Sequence, residues 1–257
     1  MSTRILLAVG SAIVFTFLTA TISFRNQKDK NPEEIAASGF AVLELFTSEG
    51  CSSCPPADKL LTEIQRQATG KEIYVLAYHV DYWNRLGWVD PFSSPEFSRR
   101  QYQYGKKLSS QVYTPQLIIN GKEELIGSNS TAVKNSLSKA LKRKVKEKLH
   151  LKAQQEGGQL RIDYSLDGEL GDVELHIAIV RKRAVSRVRS GENSGRTLSH
   201  VQIVERLLSF DIRSGEPVLV SPPDSFNSQE WELIGFLQSK DKGEISAATR
   251  VNLDDFG

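Results

Sequence analysis

The stretch Leu43-Glu44-Leu45-Phe46-Thr47-Ser48-Glu49-Gly50-Cys51-Ser52-Ser53-Cys54-Pro55-Pro56-Ala57-Asp58 decides how the chain is read. Its first residues close an apolar, strand-like run from Phe40 to Phe46. Its last open an amphipathic run from Pro55 to Gln67 that reads as a helix. Proline is tolerated at a helix start, where the N–H it lacks would be unpaired anyway, so Pro55 and Pro56 mark where the helix begins. Two cysteines three positions apart therefore stand between a strand and a helix. Unpaired N–H groups and the positive end of the helix dipole favour thiolate over thiol there, lowering a Cys pKa from about 8.5. The expectation is Cys51 as nucleophile, brought to the exposed tip by Gly50, and Cys54 as resolving thiol one turn into the helix.

The chain has 257 residues and no other cysteine. A ring this short cannot staple a fold, so stability is not the expected purpose of the pair, although an inert structural disulfide stays open as the bland alternative. Half a zinc site is the other alternative, and its second half is missing: there is no second Cys pair, and His79, His150, His176 and His200 lack ligand spacing. Thirty-three basic against 31 acidic residues give a net charge of +2, too near balance for a polyanion binder, so no nucleic acid partner is expected. With 39% hydrophobic and 25% charged residues, the body reads as soluble and globular rather than disordered or polytopic.

Upstream, Ile5 to Ile22 carries no charge over 18 residues and is followed by the polar run Arg25 to Glu34. This reads as a signal peptide or N-terminal membrane anchor over 1–24, with a linker over 25–37. It places the body outside the cytoplasm, periplasmic or secreted, with possible inner-membrane association through residues 5–22. Downstream, strand-like Glu72 to Trp83 and Gln116 to Asn120 alternate with helical Ser94 to Leu108 and Ser130 to Leu149. After about residue 148 come short β-leaning runs, His150 to Ala153, Gln159 to Leu166, Val173 to Arg181, Thr197 to Leu208, Pro217 to Val220, Trp231 to Gln238 and Glu244 to Val251. Turn residues such as Gly157-Gly158 and Asp167-Gly168 break them. The expectation is two domains, α/β over 38–146 and an all-β, sandwich-like one over 147–257.

A Thr-Pro pair precedes an apolar strand in Tyr113-Thr114-Pro115-Gln116-Leu117-Ile118-Ile119-Asn120-Gly121, an arrangement that suggests a cis peptide; a trans proline opening an edge strand is the alternative. With strand, C-x-x-C, helix, Thr-Pro, strand and Ile126-Gly127 in hand, the chain resembles the thioredoxin and glutaredoxin superfamily. The resemblance implies a thioredoxin-like first domain in which Pro115 is cis and lies against the dithiol, and Thr114 offers its backbone to an extended polypeptide substrate. A more specific set, including His79-Val80-Asp81-Tyr82-Trp83, Gly87-Trp88-Val89-Asp90-Pro91-Phe92, Gly191-Glu192-Asn193 and Gly195-Arg196-Thr197-Leu198-Ser199-His200, is similar to an exported thioredoxin-like family of bacterial proteins known only as a domain of unknown function. Two departures stand out. Trp83 to Leu108 reads as an insertion, and Leu45 occupies the place where thioredoxins carry a buried carboxylate. Strand alternation turns the neighbouring Glu44 to the opposite face, as an ion-paired or partly exposed residue.

Functional groups collect at the C-terminal ends of parallel strands, which makes Asp81, or His79, a secondary candidate to accept the Cys54 proton. Tying down the inserted loop is the alternative for both, and packing that loop is the reading for Trp83, Trp88 and Phe92. The Lys- and Arg-rich run from Lys134 to Lys148 reads as a solvated helix face, with anionic lipid as the sharper alternative. His200 reads as a hydrogen-bonded structural histidine, with a contact to the first domain left open. The expected chemistry is thiol–disulfide exchange through Cys51 and Cys54 with an unknown redox partner and no cofactor beyond the dithiol. Its rivals are a copper-binding thioredoxin-like metallochaperone using Cys51 and Cys54, with His79 or another residue as third ligand, and a non-catalytic interaction module.

Overall fold

β1 (Ala41–Thr47) and β2 (Ile73–Val80) run parallel, in register from Ala41 opposite Ile73 to Thr47 opposite His79, and every residue of both is buried. Strands covered on both faces need near-continuous apolar sequence, which Ala-Val-Leu-Glu-Leu-Phe-Thr and Ile-Tyr-Val-Leu-Ala-Tyr-His-Val supply. The computed structural model describes residues 39–168, 171–212, 216–224, 226–251 and 253; the expected leader over 1–24 and linker over 25–37 lie outside them. Among the described residues no helix is long and apolar enough to cross a membrane.

α1 (Pro55–Gln67) joins these two strands, with Cys54 as its N-cap and prolines in its first turn. Its buried residues Ala57, Leu60, Leu61 and Ile64 recur at helical spacing and pack on Leu43, Leu45, Val75 and Ala77, one face of the sheet. On the other face lies α2 (Pro95–Lys107), started by Ser94, whose side chain accepts from the Glu96 N–H at 3.2 Å. It sits within the expected insertion, together with a short 3₁₀ turn (Asn84–Leu86) and the two-residue strand β3 (Ser93–Ser94). β4 (Gln116–Ile119) and β5 (Glu123–Ile126) follow, and then α3 (Ser130–Leu141).

The helix expected to run to Leu149 ends at Leu141. Its last-turn carbonyl accepts the Gly39 N–H at 3.0 Å, and beyond it only Val145 is apolar, packing on the sheet rather than continuing a helical stripe. The basic run therefore lies mostly in the connection to β6 (Lys148–Glu156), not along a helix face.

The remaining strands overturn the expected fold class, an α/β thioredoxin-like domain followed by an all-β sandwich-like domain. They are β7 (Gln159–Asp167), β8 (Val173–Arg187), β9 (Thr197–Asp211), β10 (Val218–Val220), β11 (Trp231–Ser239) and β12 (Ile245–Arg250). Among the described residues, nine strands form one mixed sheet in the order β12-β11-β8-β9-β2-β1-β4-β5, with β3 also on β2, and β10-β7-β6 form a second, small sheet. The molecule is mostly β. The join is parallel, Ala77 opposite Ile203. A strand buried on both faces cannot leave its edge N–H and C=O groups unpaired, and β9 together with β3 takes up that edge of β2.

One core crosses the join: Phe46, Tyr78 and Phe97 share it with Ala178, Val180, Val204, Ile234 and Phe236. At its centre Glu44, fully buried, meets the Arg100 guanidinium at 2.6 Å and accepts from the Tyr104 hydroxyl, while Gln238 bonds both Arg100 and Tyr104. Glu44 is thus ion-paired and faces α2 rather than α1, as alternation predicts, but no part of it is exposed.

Candidate functional site

The C-terminal end of β1 delivers Ser48 to Cys54 to the start of α1. The Ser48 carbonyl accepts the Cys51 N–H at 3.2 Å, and the Cys51 carbonyl accepts the Cys54 N–H at 3.2 Å, so the loop is a succession of tight turns. Cys51 and Cys54 form a disulfide, their Cα atoms 5.5 Å apart. Gly50 is required by close approach: a Cβ there would stand 2.9 Å from the Cβ of Trp83. The expectation of an exposed Cys51 fails. Both cysteines are fully buried, whereas Ser52 and Ser53 between them are exposed.

The covering element comes from the other half of the chain. Between β8 and β9 the chain makes a tight tip over Val188–Arg196, closed by the Gly195 N–H to the Val188 carbonyl at 2.9 Å. Asn193, fully buried, donates from Nδ2 to the carbonyls of Glu49 at 2.8 Å and Cys51 at 2.9 Å, and its Oδ1 accepts from Arg196 at 2.8 Å. The Glu192 carboxylate accepts the Ser52 N–H at 3.0 Å, and Ser190 donates to the Gly87 carbonyl. The tip thus clasps both the dithiol loop and the inserted loop.

On the far side, Thr114-Pro115 borders the loop. The peptide bond between them is cis. The Thr114 carbonyl accepts from Ser53 Oγ at 3.4 Å, and its Oγ1 accepts from Trp83 Nε1 at 2.8 Å. Pro115 is buried and Thr114 half-buried. Asp81 does not join them: its carboxylate accepts from Ser98 and its carbonyl from the Asn84 N–H, so it anchors the inserted segment.

Around Glu49, two residues before Cys51, lies a buried set of ionisable groups. His79 Nδ1 is 2.7 Å from Asp90, which also accepts the N–H groups of Glu49 at 2.8 Å and Phe92 at 2.9 Å. The Glu49 carboxylate accepts from Trp88 Nε1 at 2.7 Å and lies 3.2 Å from His200 Nε2; His200 Nδ1 is 3.8 Å from Asp58. The two imidazole rings meet edge to face, 4.8 Å between centroids. Among the described residues His79 Nε2 and His200 Nδ1 have no hydrogen-bond partner. Burial alone would lower the pKa of His79, but the adjoining Asp90 carboxylate outweighs it and holds the imidazole above its ordinary value. Burial likewise works to raise Asp90, and the His79 charge overrides it, keeping that carboxyl low. Asp58 goes the other way: burial raises it, opposed by His200, His79 and the Thr47 hydroxyl that donates to it at 3.0 Å.

Cys51, Cys54 and Thr114 are thus brought to one loop cluster, with Pro115 next to Thr114 in the chain, while the Asp81 carboxylate is bonded to Ser98 instead. Asp58, Glu49, Asp90, His200, Glu192 and Asn193 are additional. Asp58 alone left a local trace, since it stands four residues after Cys54 and so on the same helix face. A buried carboxyl one turn from a resolving thiol is suited to exchange a proton with it. Glu192 and Asn193 arrive across about 140 residues of sequence, with no signal near the cysteines.

A family model described as "Protein of unknown function (DUF1223)" matches residues 42–238. No curated protein matches the chain. Among solved structures, the chain is similar to a protein from Agrobacterium tumefaciens at 28% identity, covering 84% of this chain and 96% of that one with a TM-score of 0.65. It is also similar to HBP35 of Porphyromonas gingivalis at 16% identity, covering 85% of this chain and 76% of that one with a TM-score of 0.66; this second likeness speaks for the fold alone.

Proposed function

The chain belongs to the DUF1223 family of proteins of unknown function, and from there we propose that it is an exported thiol–disulfide oxidoreductase working through Cys51 and Cys54. The observation that carries this reading is the Cys51–Cys54 disulfide at the start of α1, bordered by Thr114-Pro115 and set beside a buried acid–imidazole cluster. Cys51 precedes the helix and is the attacking sulfur: its thiolate opens a client disulfide, forming a mixed disulfide and releasing the client's other sulfur as thiolate. Cys54 then attacks Cys51, closing the protein disulfide and freeing the second client thiol. Asp58, with a raised pKa, takes the Cys54 proton during that attack. No organic cofactor or metal takes part in these steps.

The order of strand, C-x-x-C, helix and Thr-Pro in residues 41–126 supports kinship with the thioredoxin superfamily at the level of the site. The apolar run Ile5 to Ile22 supports export, and the half-buried Thr114 supports an extended polypeptide client. Burial of both sulfurs sets a condition: residues packed over the loop must move before a client reaches Cys51, and the tip over Val188–Arg196, bonded to the backbone of Glu49, Cys51 and Ser52, is the element we propose moves.

The test is to incubate Cys54→Ser with a disulfide-bonded peptide and look for a covalent peptide adduct on Cys51 by mass spectrometry. The reading expects a stable adduct, absent from Cys51→Ser/Cys54→Ser, and turnover of the same peptide by the wild type in the presence of a reductant. Wild-type turnover no faster than that of the double variant ends it.

A further inference from the structure

The amide after Cys51 is already taken. A thiolate on Cys51 would draw on the N–H groups at the start of α1, yet the Cys51 N–H goes to the Ser48 carbonyl, the Cys54 N–H to the Cys51 carbonyl, and the Ser52 N–H to the Glu192 carboxylate at 3.0 Å. The first two bonds belong to the turns. The third is different in kind, because its acceptor carries a charge and comes from the β8–β9 tip, 140 residues away. Glu192 is exposed and spends no burial on making the contact. Hydrogen bonds from Ser52 hold its carboxyl below the ordinary range, so it is ionised at neutral pH.

We propose that Glu192 is a positioning residue that shifts the Cys51–Cys54 pair toward the disulfide, by holding a negative charge on the Ser52 amide, next to Cys51 in the loop. The proposal rests on the exchange reading of the dithiol and deepens it, since it assigns the pair a reducing rather than an oxidising bias. Two effects act together. The carboxylate occupies the N–H adjoining Cys51 and adds a like charge one residue away, and both disfavour the thiolate while leaving the neutral disulfide untouched. The balance concerned is dithiol plus glutathione disulfide going to protein disulfide plus two glutathione. Two S–H bonds and the glutathione S–S bond break, the protein S–S bond forms, and both electrons and both protons pass to glutathione.

The other charged groups around the loop are Glu49 before it, Asp58 from α1, His79 from β2, Asp90 from the inserted loop, and His200 and Arg196 from the hairpin. They are common to wild type and variant, so a difference between the two isolates Glu192.

The experiment equilibrates full-length wild type, Glu192→Gln and Glu192→Ala with glutathione buffers and counts free thiols by alkylation under denaturing conditions. It is run well below and well above the ordinary thiol pKa of about 8.5. Above it, the constant for disulfide formation should fall about two- to fivefold in both variants, the range for one exposed charge contact. The gap should close below that pKa, where no thiolate forms, and shrink in high salt. Ultraviolet thiolate absorbance should show Cys51 titrating at lower pH in both. Constants equal to wild type overturn the proposal, as does a shift in Glu192→Ala alone, which would show that the contact matters and the charge does not. Peptide-disulfide turnover by the wild type is scored separately. Its absence alongside shifted constants removes the exchange role and leaves the effect of Glu192 on the pair standing.

Discussion

If the β8–β9 tip is what keeps reagents from the disulfide, loosening it must speed reduction without unfolding the protein. Asn193→Ala is the perturbation. Asn193 is fully buried and gives its Nδ2 to the carbonyls of Glu49 and Cys51, while its Oδ1 takes an Arg196 proton. Truncation leaves the Glu49 carbonyl without its Asn193 donor in the closed arrangement, while the Cys51 carbonyl keeps the Cys54 N–H. A buried group left unsatisfied costs about 1–3 kcal/mol, so about 2 kcal/mol is the working figure. Opening the tip lets water satisfy the Glu49 carbonyl, so the penalty falls on the closed state alone and the open fraction rises about 30-fold, at 1.4 kcal/mol for each factor of ten. The assay follows loss of the disulfide under excess dithiothreitol by quenched alkylation and mass, at a temperature where both proteins give the same circular dichroism. The expected rate constant is about 30-fold above wild type. A folded Asn193→Ala protein reduced at the wild-type rate refutes the reasoning, because the barrier to Cys51 would then lie elsewhere.

Three further outcomes follow from the buried charges and the tight loop. His79 is held above its ordinary pKa by Asp90, so the pair's contribution to stability is fully present below about pH 6.5 and is lost as pH rises through the folded value. Urea unfolding of the wild type should weaken over that rise, and Asp90→Asn should flatten the slope while losing about 3 kcal/mol at the low-pH end; an unchanged slope in the variant contradicts the pairing. Arg100→Met strands the Glu44 charge in the shared core and should lose about 3–5 kcal/mol, whereas Arg100→Met with Glu44→Gln should recover a large part of it. A double-mutant cycle by chemical denaturation decides between that and simple additivity. Gly50→Ala drives a methyl to within 2.9 Å of the Trp83 Cβ and should lower stability by about 1–3 kcal/mol, and a wild-type melting temperature would show that the loop has room to give.

What could be read from the sequence was local. Cys51, Cys54 and Pro55 act through neighbours in the chain, so the strand–dithiol–helix step was visible in one stretch of residues, and α1 runs from Pro55 to Gln67 as read. The turn of Glu44 away from α1 follows from an equally short-range rule, strand alternation, whereas the cis bond at Thr114-Pro115 is what the resemblance implies and the structure has. The failures are failures of long-range pairing. Nothing near Ile203 says that it will lie beside Ala77, 126 positions earlier, yet that one parallel contact converts two expected domains into a single sheet. The basic run beyond Leu141 kept a helical composition, but with Val145 as its only apolar residue it had no stripe to bury, and tertiary packing ended the helix. The burial of Cys51 could not be read either: the resemblance singled out Gly191-Glu192-Asn193, but nothing in that turn says that Asn193 will reach the carbonyls of Glu49 and Cys51.

The same long-range pairing explains why the ionisable cluster lies where it does. A disulfide spanning four residues restrains the unfolded chain less than any long-range bridge would, so as a staple it needs no special surroundings, and an apolar packing of the loop would serve stability better. Instead the fold places Glu49, Asp58, His79, Asp90 and His200 together beside the loop, with His79 Nε2 and His200 Nδ1 lacking a hydrogen bond among the described residues. Burying ionisable groups is destabilising unless each is paired, and even well-paired sets seldom outperform apolar side chains of equal volume. Groups whose pKa values are pushed apart, Asp58 upward and Asp90 downward, are what the proposed exchange needs for moving protons. Opening a disulfide takes up electrons and protons together. His200 completes the set, and it arrives only because β9 lies against β2. The join between the two halves is therefore part of the candidate site, since the strand pairing that makes one sheet also brings His200 to Glu49 and Asp58.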